Sequence, residues 1–474
     1  MRALPSILVL ASFGAAASVS SSVAAHGGPP AVRRVAFHPV EPDTLYAQAT
    51  FGLLVSRDHG ETWTLTCEEA IGWQPTENPH IAGTTDGAVV FGLISGLRRS
   101  EMALCGAGLP RADLEDVRII ALARDATDDR RHFAVTALNA DPNTVYVSPD
   151  DGITWEPSGD RLVAGDVPSS LLVAPNDAQT VYVSGSRLDP AFGFVARSDD
   201  GGGTWTTYEV ALEDAITFSL GAVDPRDARR VLAYRTSFDV ADVLLLSEDG
   251  GETWDEVASV SGDVTAVAFA PDGSRAWYGS YEKGLHVSDD GGRTFAPQIL
   301  DLAIQCLAAR EGELWVCADN YADGFALGVS TDGGDTFEPR FRYEELAGQV
   351  ACAEGTRSAE VCPVAWRAIS DIFGLDAGAG ADDAGAGRPD ATARDAGADA
   401  GRDGDASAAM DTSVGPDTST RSADDGGDDD GCGCSVPGRS HGTPRASWLG
   451  VALVLGLAVG ARRSRRSRQS RARS

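Results

Sequence analysis

Between residues 32 and 343 the apolar positions fall in short runs separated by turn-forming residues. Leu171 to Ala174 is followed by a Pro175-Asn176-Asp177 turn, then by Val181 to Ser184, Phe194 to Arg197 and Thr204 to Tyr208. The next stretch repeats the arrangement with Ser219 to Val223, Val231 to Tyr234, Val243 to Leu246 and Thr253 to Val257. The stretch before it does so with Val117 to Ala123, Phe133 to Leu138, Thr144 to Val147 and Thr154 to Glu156. Short β-rich runs bounded by Pro, Asn, Asp and Gly predict strands, four to a unit.

The third turn of each unit carries a recurring octet, Ser-x-Asp-x-Gly-x-Thr-(Trp/Phe). The copies are Ser56, Asp58, Gly60, Trp63; Ser148, Asp150, Gly152, Trp155; Ser198, Asp200, Gly202, Trp205; Ser247, Asp249, Gly251, Trp254; Ser288, Asp290, Gly292, Phe295; and Ser330, Asp332, Gly334, Phe337. Successive serines lie 92, 50, 49, 41 and 42 residues apart. The first gap is about double the rest, and Ser100, 44 residues after Ser56, marks a degenerate copy that has lost its glycine and aromatic. Seven units of four short strands predict an all-β protein, a seven-bladed propeller of antiparallel blades. Within each octet the serine and aspartate side chains can bond backbone N–H groups. The glycine admits a positive φ, and the aromatic opens the last strand and packs inward. An arrangement needed once for catalysis would not recur six times around a ring, so the octets read as structural. Each offers too few spaced oxygens for a calcium shell.

These octets resemble Asp-box (BNR) repeats, as in sialidases, sortilin-like receptors and photosystem assembly-factor propellers, over roughly residues 32 to 343. The resemblance implies boxes on the blade periphery, away from a central pocket. Sialidase-like catalysis would require an arginine cluster, a tyrosine nucleophile with a glutamate, and an acid. Arg33-Arg34 stand in "AVRRVAFHP", which departs from the family's arginine signature, so catalytic residues are not assigned. Asp141, Asp224 and Asp272 occupy turn motifs that explain them. The reading is therefore a binding propeller for an extracellular glycan or protein, with a glycoside hydrolase as the alternative.

Charge narrows the partners. The formal net charge is −31, and about −30 of it falls on residues 26–375, which opposes binding to nucleic-acid phosphates. No cofactor is implied. The histidines lack zinc-ligand spacing.

The rest of the chain gives an address. Residues 1–25 read as a secretory signal, with Arg2, an apolar run and small residues up to Ala25. The propeller follows over 26–343, then an extension over 344–375 with a short amphipathic helix after Pro363. In an exported chain the cysteines favour disulfides. Cys306 and Cys317 flank a Glu311-Gly312 turn and can pair across that hairpin. Cys67 with Cys105, and Cys352 with Cys362, are expected as the other bridges, buried free thiols being the alternative. Residues 376–431 are Ala-, Gly- and Asp-rich without an aromatic, and are expected to form a disordered linker. Over 432–474 come Cys432 and Cys434, an apolar stretch from Ala446 to Ala461, and an arginine block. That order resembles the MYXO-CTERM sorting signal. It implies a sorting protease, passage through the inner membrane and attachment at the cell surface; a plain single-pass anchor is the alternative.

Overall fold

The computed structural model describes residues 29–375, except 75, 76, 102, 139, 140, 214 and 239. The expected signal, the linker, Cys432, Cys434 and the apolar and arginine-rich segments lie outside the described residues.

Seven four-stranded antiparallel sheets follow one another along the chain. Blade 1 holds β1 (Val32–Phe37), β2 (Leu45–Ala49), β3 (Gly52–Ser56) and β4 (Thr64–Thr66). Blade 2 holds β5 (His80–Gly83), β6 (Val89–Leu93), β7 (Gly96–Ser100) and β8 (Ala107–Gly108). Blade 3 holds β9 (Ile119–Arg124), β10 (His132–Thr136), β11 (Val145–Ser148) and β12 (Glu156–Pro157). Blade 4 holds β13 (Val167–Ala174), β14 (Asp177–Leu188), β15 (Ala191–Ser198) and β16 (Thr206–Val210). Blade 5 holds β17 (Thr217–Asp224), β18 (Asp227–Thr236), β19 (Asp242–Ser247) and β20 (Asp255–Val260). Blade 6 holds β21 (Val264–Phe269), β22 (Ala276–Ser280), β23 (Gly284–Ser288) and β24 (Ala296–Ile299). Blade 7 holds β25 (Cys306–Arg310), β26 (Glu313–Cys317), β27 (Leu327–Ser330) and β28 (Glu338–Phe341).

First strands of neighbouring blades contact one another around the whole circle, β1 meeting both β5 and β25, so they line the axis and the ring is closed. The degenerate unit is a full blade: Ser100 keeps the octet serine's place, and its hydroxyl accepts from Val89 N at 2.8 Å.

The octets are hairpins between third and fourth strands, and six of them share one hydrogen-bond pattern. The serine hydroxyl donates to aspartate Oδ1 at 2.7–2.9 Å. It accepts from the glycine N at 2.7–2.9 Å. The threonine hydroxyl donates to Oδ2 at 2.6–2.8 Å. The fourth position has positive φ as well as the fifth, which the octet consensus does not show. It is glycine in four copies but His59 (φ 62) and Asp151 (φ 63) in two. Both side chains make use of the conformation. His59 Nε2 reaches Glu313 of blade 7 at 2.9 Å, and Asp151 accepts from Thr85 N and Thr85 Oγ1 of blade 2 at 2.8 Å. Arginines of the preceding blade donate to the fourth-position carbonyl in four octets: Arg99 to Asp151, Arg131 to Gly201, Arg197 to Gly250 and Arg275 to Gly333. These four octets therefore also fasten their blades to the ones before them.

The octet aromatics are not equivalent. Trp63 and Trp155 are buried and their indole N–H groups donate to Gly60 O and Gly152 O. Trp205 and Trp254 are half-buried, and their Nε1 atoms lack a partner among the described residues.

Residues 344–375 correct two expected pairings. β29 (Gly348–Gln349) runs parallel to β4 on the outer edge of blade 1. It carries the chain to blade 2, where Cys352 bonds Cys105 with the Cα atoms 5.6 Å apart. A one-turn helix α1 (Glu68–Ile71) follows Cys67, and helix α2 (Arg357–Phe373) starts from its Thr356 cap, earlier than expected and through Pro363, and turns Cys362 inward to bond Cys67. Cys67–Cys105 and Cys352–Cys362 are therefore both replaced. The path of the extension, invisible in the spacing, brings each C-terminal cysteine beside a different blade. Cys306–Cys317 forms as expected, directly across β25 and β26. α2 packs Phe373 on Tyr343 at 4.8 Å and on Phe51 at 5.2 Å. Among the described residues no helix is long and apolar enough to cross a membrane.

Candidate functional site

Strand direction gives the ring two faces. The octets and the first-to-second strand turns lie on one. The second-to-third strand turns and the connections between blades lie on the other, hereafter the loop face.

Inner strand β1 begins at the loop face and carries Arg33-Arg34. In a regular strand adjacent side chains point to opposite sides. Here the pairing register skips a residue between Val32 and Arg34, so Arg33 is a bulge and both arginines are freed from strict alternation. The charge of Arg34 acts on His80 of blade 2 and on Tyr234 of blade 5, which are not neighbouring blades. It must therefore project into the axial channel. Its side chain is surrounded on all sides by protein yet keeps partial exposure, as expected in a narrow channel. Burial pulls the Arg34 guanidinium down to about 10. Burial first, and then Arg34, holds His80 well below its ordinary value, so the imidazole stays neutral. Arg33 points towards the mouth, where Tyr343, Tyr281 and Asp319 act on it. Neither arginine has a hydrogen bond or ion pair among the described residues, and both Nε atoms are buried without a partner.

Around the mouth stand loops of blades 6 and 7. Tyr281, on the β22–β23 turn, is 43 % exposed and donates its hydroxyl to Asp319 Oδ2 at 2.5 Å. Asp319 also accepts from Tyr321 N and Ala322 N. Asp323 accepts from Asp319 N and Ala303 N. These carboxylates shape the β26–β27 loop, which leaves Tyr321 62 % exposed. The hydrogen bond to Asp319, then burial, pushes the Tyr281 hydroxyl up to about 12. At neutral pH it is a neutral donor to Asp319.

Asp242 is the acid most raised, to about 6, by burial. It is 1 % exposed and accepts from Ser237 N and Val264 N, so it ties two loops together. Among the described residues no group of three His, Cys, Asp or Glu is placed to hold a metal.

The octet residues lie away from this mouth, on the opposite face and between blades. Of the mouth residues, the sequence drew attention to Arg33-Arg34 alone. Tyr281, Asp319, Tyr321 and Asp323 sit in blade-specific loops with no repeat to mark them.

No protein-family model matches the chain, and no curated protein matches it. Solved structures do. An ancestral GH74 enzyme is similar at 13 % identity and TM-score 0.51, over 65 % of this chain and 46 % of the enzyme. An extracellular domain ascribed to a hybrid two-component system of B. thetaiotaomicron is 12 % identical, with TM-score 0.46, over 64 % of this chain and 38 % of that one. A YCF48 structure bound to D1 peptide is 15 % identical, with TM-score 0.38, over 66 % and 82 %. The chain thus spans under half the length of the first two. At 13 % identity the likeness to the GH74 enzyme is one of fold alone, and the seven sheets make that fold a seven-bladed β-propeller.

Proposed function

We propose that this protein is an exported, surface-displayed binding module whose loop-face channel mouth engages an extracellular glycan. The observation that carries this reading is the mouth itself, with exposed Tyr281 and Tyr321 beside Arg33, whose guanidinium has no partner among the described residues. A sugar ring offers C–H faces that pack on tyrosine and oxygens that accept from a guanidinium, the mix of apolar and convergent polar contacts found in ligand sites. The acidic body favours a neutral ligand.

Hydrolysis is the second reading, suggested by the fold likeness to a GH74 enzyme. Against it, the mouth carboxylates already accept from backbone N–H groups, and the Tyr281 hydroxyl is held by Asp319. Display is supported by the signal-like 1–25 and by the order of Cys432, Cys434, apolar segment and arginines, with a sorting protease and the inner membrane as expected partners.

The test is a glycan array probed with the purified chain, together with chromogenic glycosides. Tyr281→Ala and Arg33→Met should each weaken array binding about tenfold, ~1.4 kcal/mol, without changing the melting temperature. Turnover of any glycoside would favour the hydrolase; absence of glycan binding would leave a protein ligand. For display, Cys432→Ala with Cys434→Ala should leave a longer precursor in the inner membrane, read by fractionation and intact mass.

A further inference from the structure

A second cavity opens on the loop face between blades 5 and 6, away from the axis. Its volume is about 250 Å³, and it is lined by Ser259, Val260, Ser261, Tyr278, Glu282, Lys283, His286 and Leu300. That is just below the ~300–1,000 Å³ of pockets for drug-sized ligands, so it suits a single ring.

The lining is polar in a particular way. Tyr278 is 4 % exposed, stacks face to face on His286 at 4.5 Å, and its hydroxyl has no hydrogen-bond partner among the described residues. His286 Nδ1 is buried and has no partner among the described residues either. A buried polar atom left without a partner costs about 1–3 kcal/mol, so this nitrogen, on a residue that lines the cavity beside the free Tyr278 hydroxyl, points to a ligand or ordered water that satisfies it.

Glu282 is held in place: its Oε2 accepts from Asp263 N at 3.2 Å, while Oε1 is left without a partner among the described residues. Lys283 is the one cation of the lining, and Glu282 acts on the neighbouring Asp263 carboxyl, so the surroundings are net acidic and disfavour an anion. Val260 and Leu300 supply an apolar wall, and Leu300 is left exposed at the rim. Donors, acceptors and an apolar strip around a ring-sized space match a neutral pyranose. They do not match an acidic sugar, which would meet Glu282 and the acidic body.

We infer that this cavity between blades 5 and 6 binds one neutral pyranose unit, with Tyr278, Glu282 and His286 as its hydrogen-bonding floor. The site stands apart from the mouth, since Tyr281 faces Asp319 from the same turn on which Glu282 and Lys283 face the cavity. It shares only the ligand class with the reading of the mouth.

The sequence supplies its own probe, because Lys283 is the only lysine in the chain. Acylation by an amine-reactive ester, followed by peptide mass mapping, reports this site without interference from any other lysine. Methyl glycosides of neutral hexoses, raised to tens of millimolar, should slow Lys283 acylation several-fold, whereas methyl glucuronoside should not. Tyr278→Phe, which removes only the hydroxyl, should abolish the protection and keep the fold. Unchanged acylation with every hexoside, equal protection by the glucuronoside, or full protection in Tyr278→Phe would each overturn the proposal. Glycan binding that is lost in Arg33→Met while Lys283 was never protected would sink this cavity and leave the mouth standing. Protection of Lys283 in a protein with no mouth-dependent binding would do the reverse.

Discussion

The two faces of the ring use similar residues to opposite ends. On the octet face, carboxylates, hydroxyls and arginines are matched to one another within and between blades, and the same pattern recurs six times. On the loop face, the turns vary in length and sequence around the ring, the arginines of β1 lack partners among the described residues, and apolar side chains stand in water. Among the described residues nine large exposed apolar side chains lie there, including Ile94, Leu188, Phe238 and Leu300, against Val40 and Ile153 on the octet face. Repetition marks what every blade needs in order to fold. Irregularity, with polar and apolar groups left unsatisfied, marks where a ligand is to be sought.

The contrast can be broken first at the clasps. Cys67–Cys362 and Cys105–Cys352 close segments of 295 and 247 residues. Loop-closure entropy assigns each about 5 kcal/mol. Cys352→Ser with Cys362→Ser should give the largest fall in melting temperature, by calorimetry without reductant. Cys306→Ser, which opens an 11-residue separation, should cost markedly less.

Next come the octet aromatics. Trp63→Ala should destabilise by ~3–5 kcal/mol. Trp254→Ala should cost less, since that ring is half-buried, rests edge-on against Phe218 at 5.4 Å, and has no N–H partner to lose. Denaturant melts will rank them. Equal losses would mean that burial does not control the contribution of the octet aromatic, and glycan binding lost in the folded fraction of either variant would make the octets functional after all.

A smaller, collective effect concerns acid. The hydroxyl of Ser198, then the N–H and hydroxyl of Thr204, hold the Asp200 carboxyl down at about 2. The same bonds outweigh burial to bring Asp290 to about 2 and to lower Asp58, Asp150 and Asp249. A carboxyl whose folded value is depressed stabilises the fold above its unfolded value, about 4, and loses that contribution as pH falls towards the folded value. Thermal melts should therefore show stability falling from about pH 4 towards about pH 2, and Asp200→Asn should flatten that slope. An unchanged slope would mean that the octet bonds do not discriminate the charged form.

The smallest stability effect belongs to the loop face. Tyr321→Ala should shift stability by under about 0.5 kcal/mol while weakening glycan binding, read by calorimetric titration. A large loss of stability there would erase the distinction between the faces.

Repetition made the ring legible in the sequence. Six octets and the spacing around Ser100 determined the blade count, because each blade must form the same hairpin and the same residues solve that problem every time. Cys306 and Cys317 could be paired for a similar reason: two positions equidistant from one turn face each other across a hairpin. The remaining four cysteines show where local information ends. Their bonding was foreseeable and their partners were not, because the pairing depends on where β29 and α2 carry the chain. Arg33-Arg34 were visible as a charged pair, yet a one-residue bulge and closure of the ring decided that Arg34 enters the channel and Arg33 the mouth. Tyr278, Tyr281, Asp319 and Glu282 acquire their roles only when blades 5, 6 and 7 are brought together. What recurs or lies within one hairpin is written in the sequence; what depends on contacts between residues tens to hundreds of positions apart is decided by the tertiary structure, since those groups meet only after the circle closes.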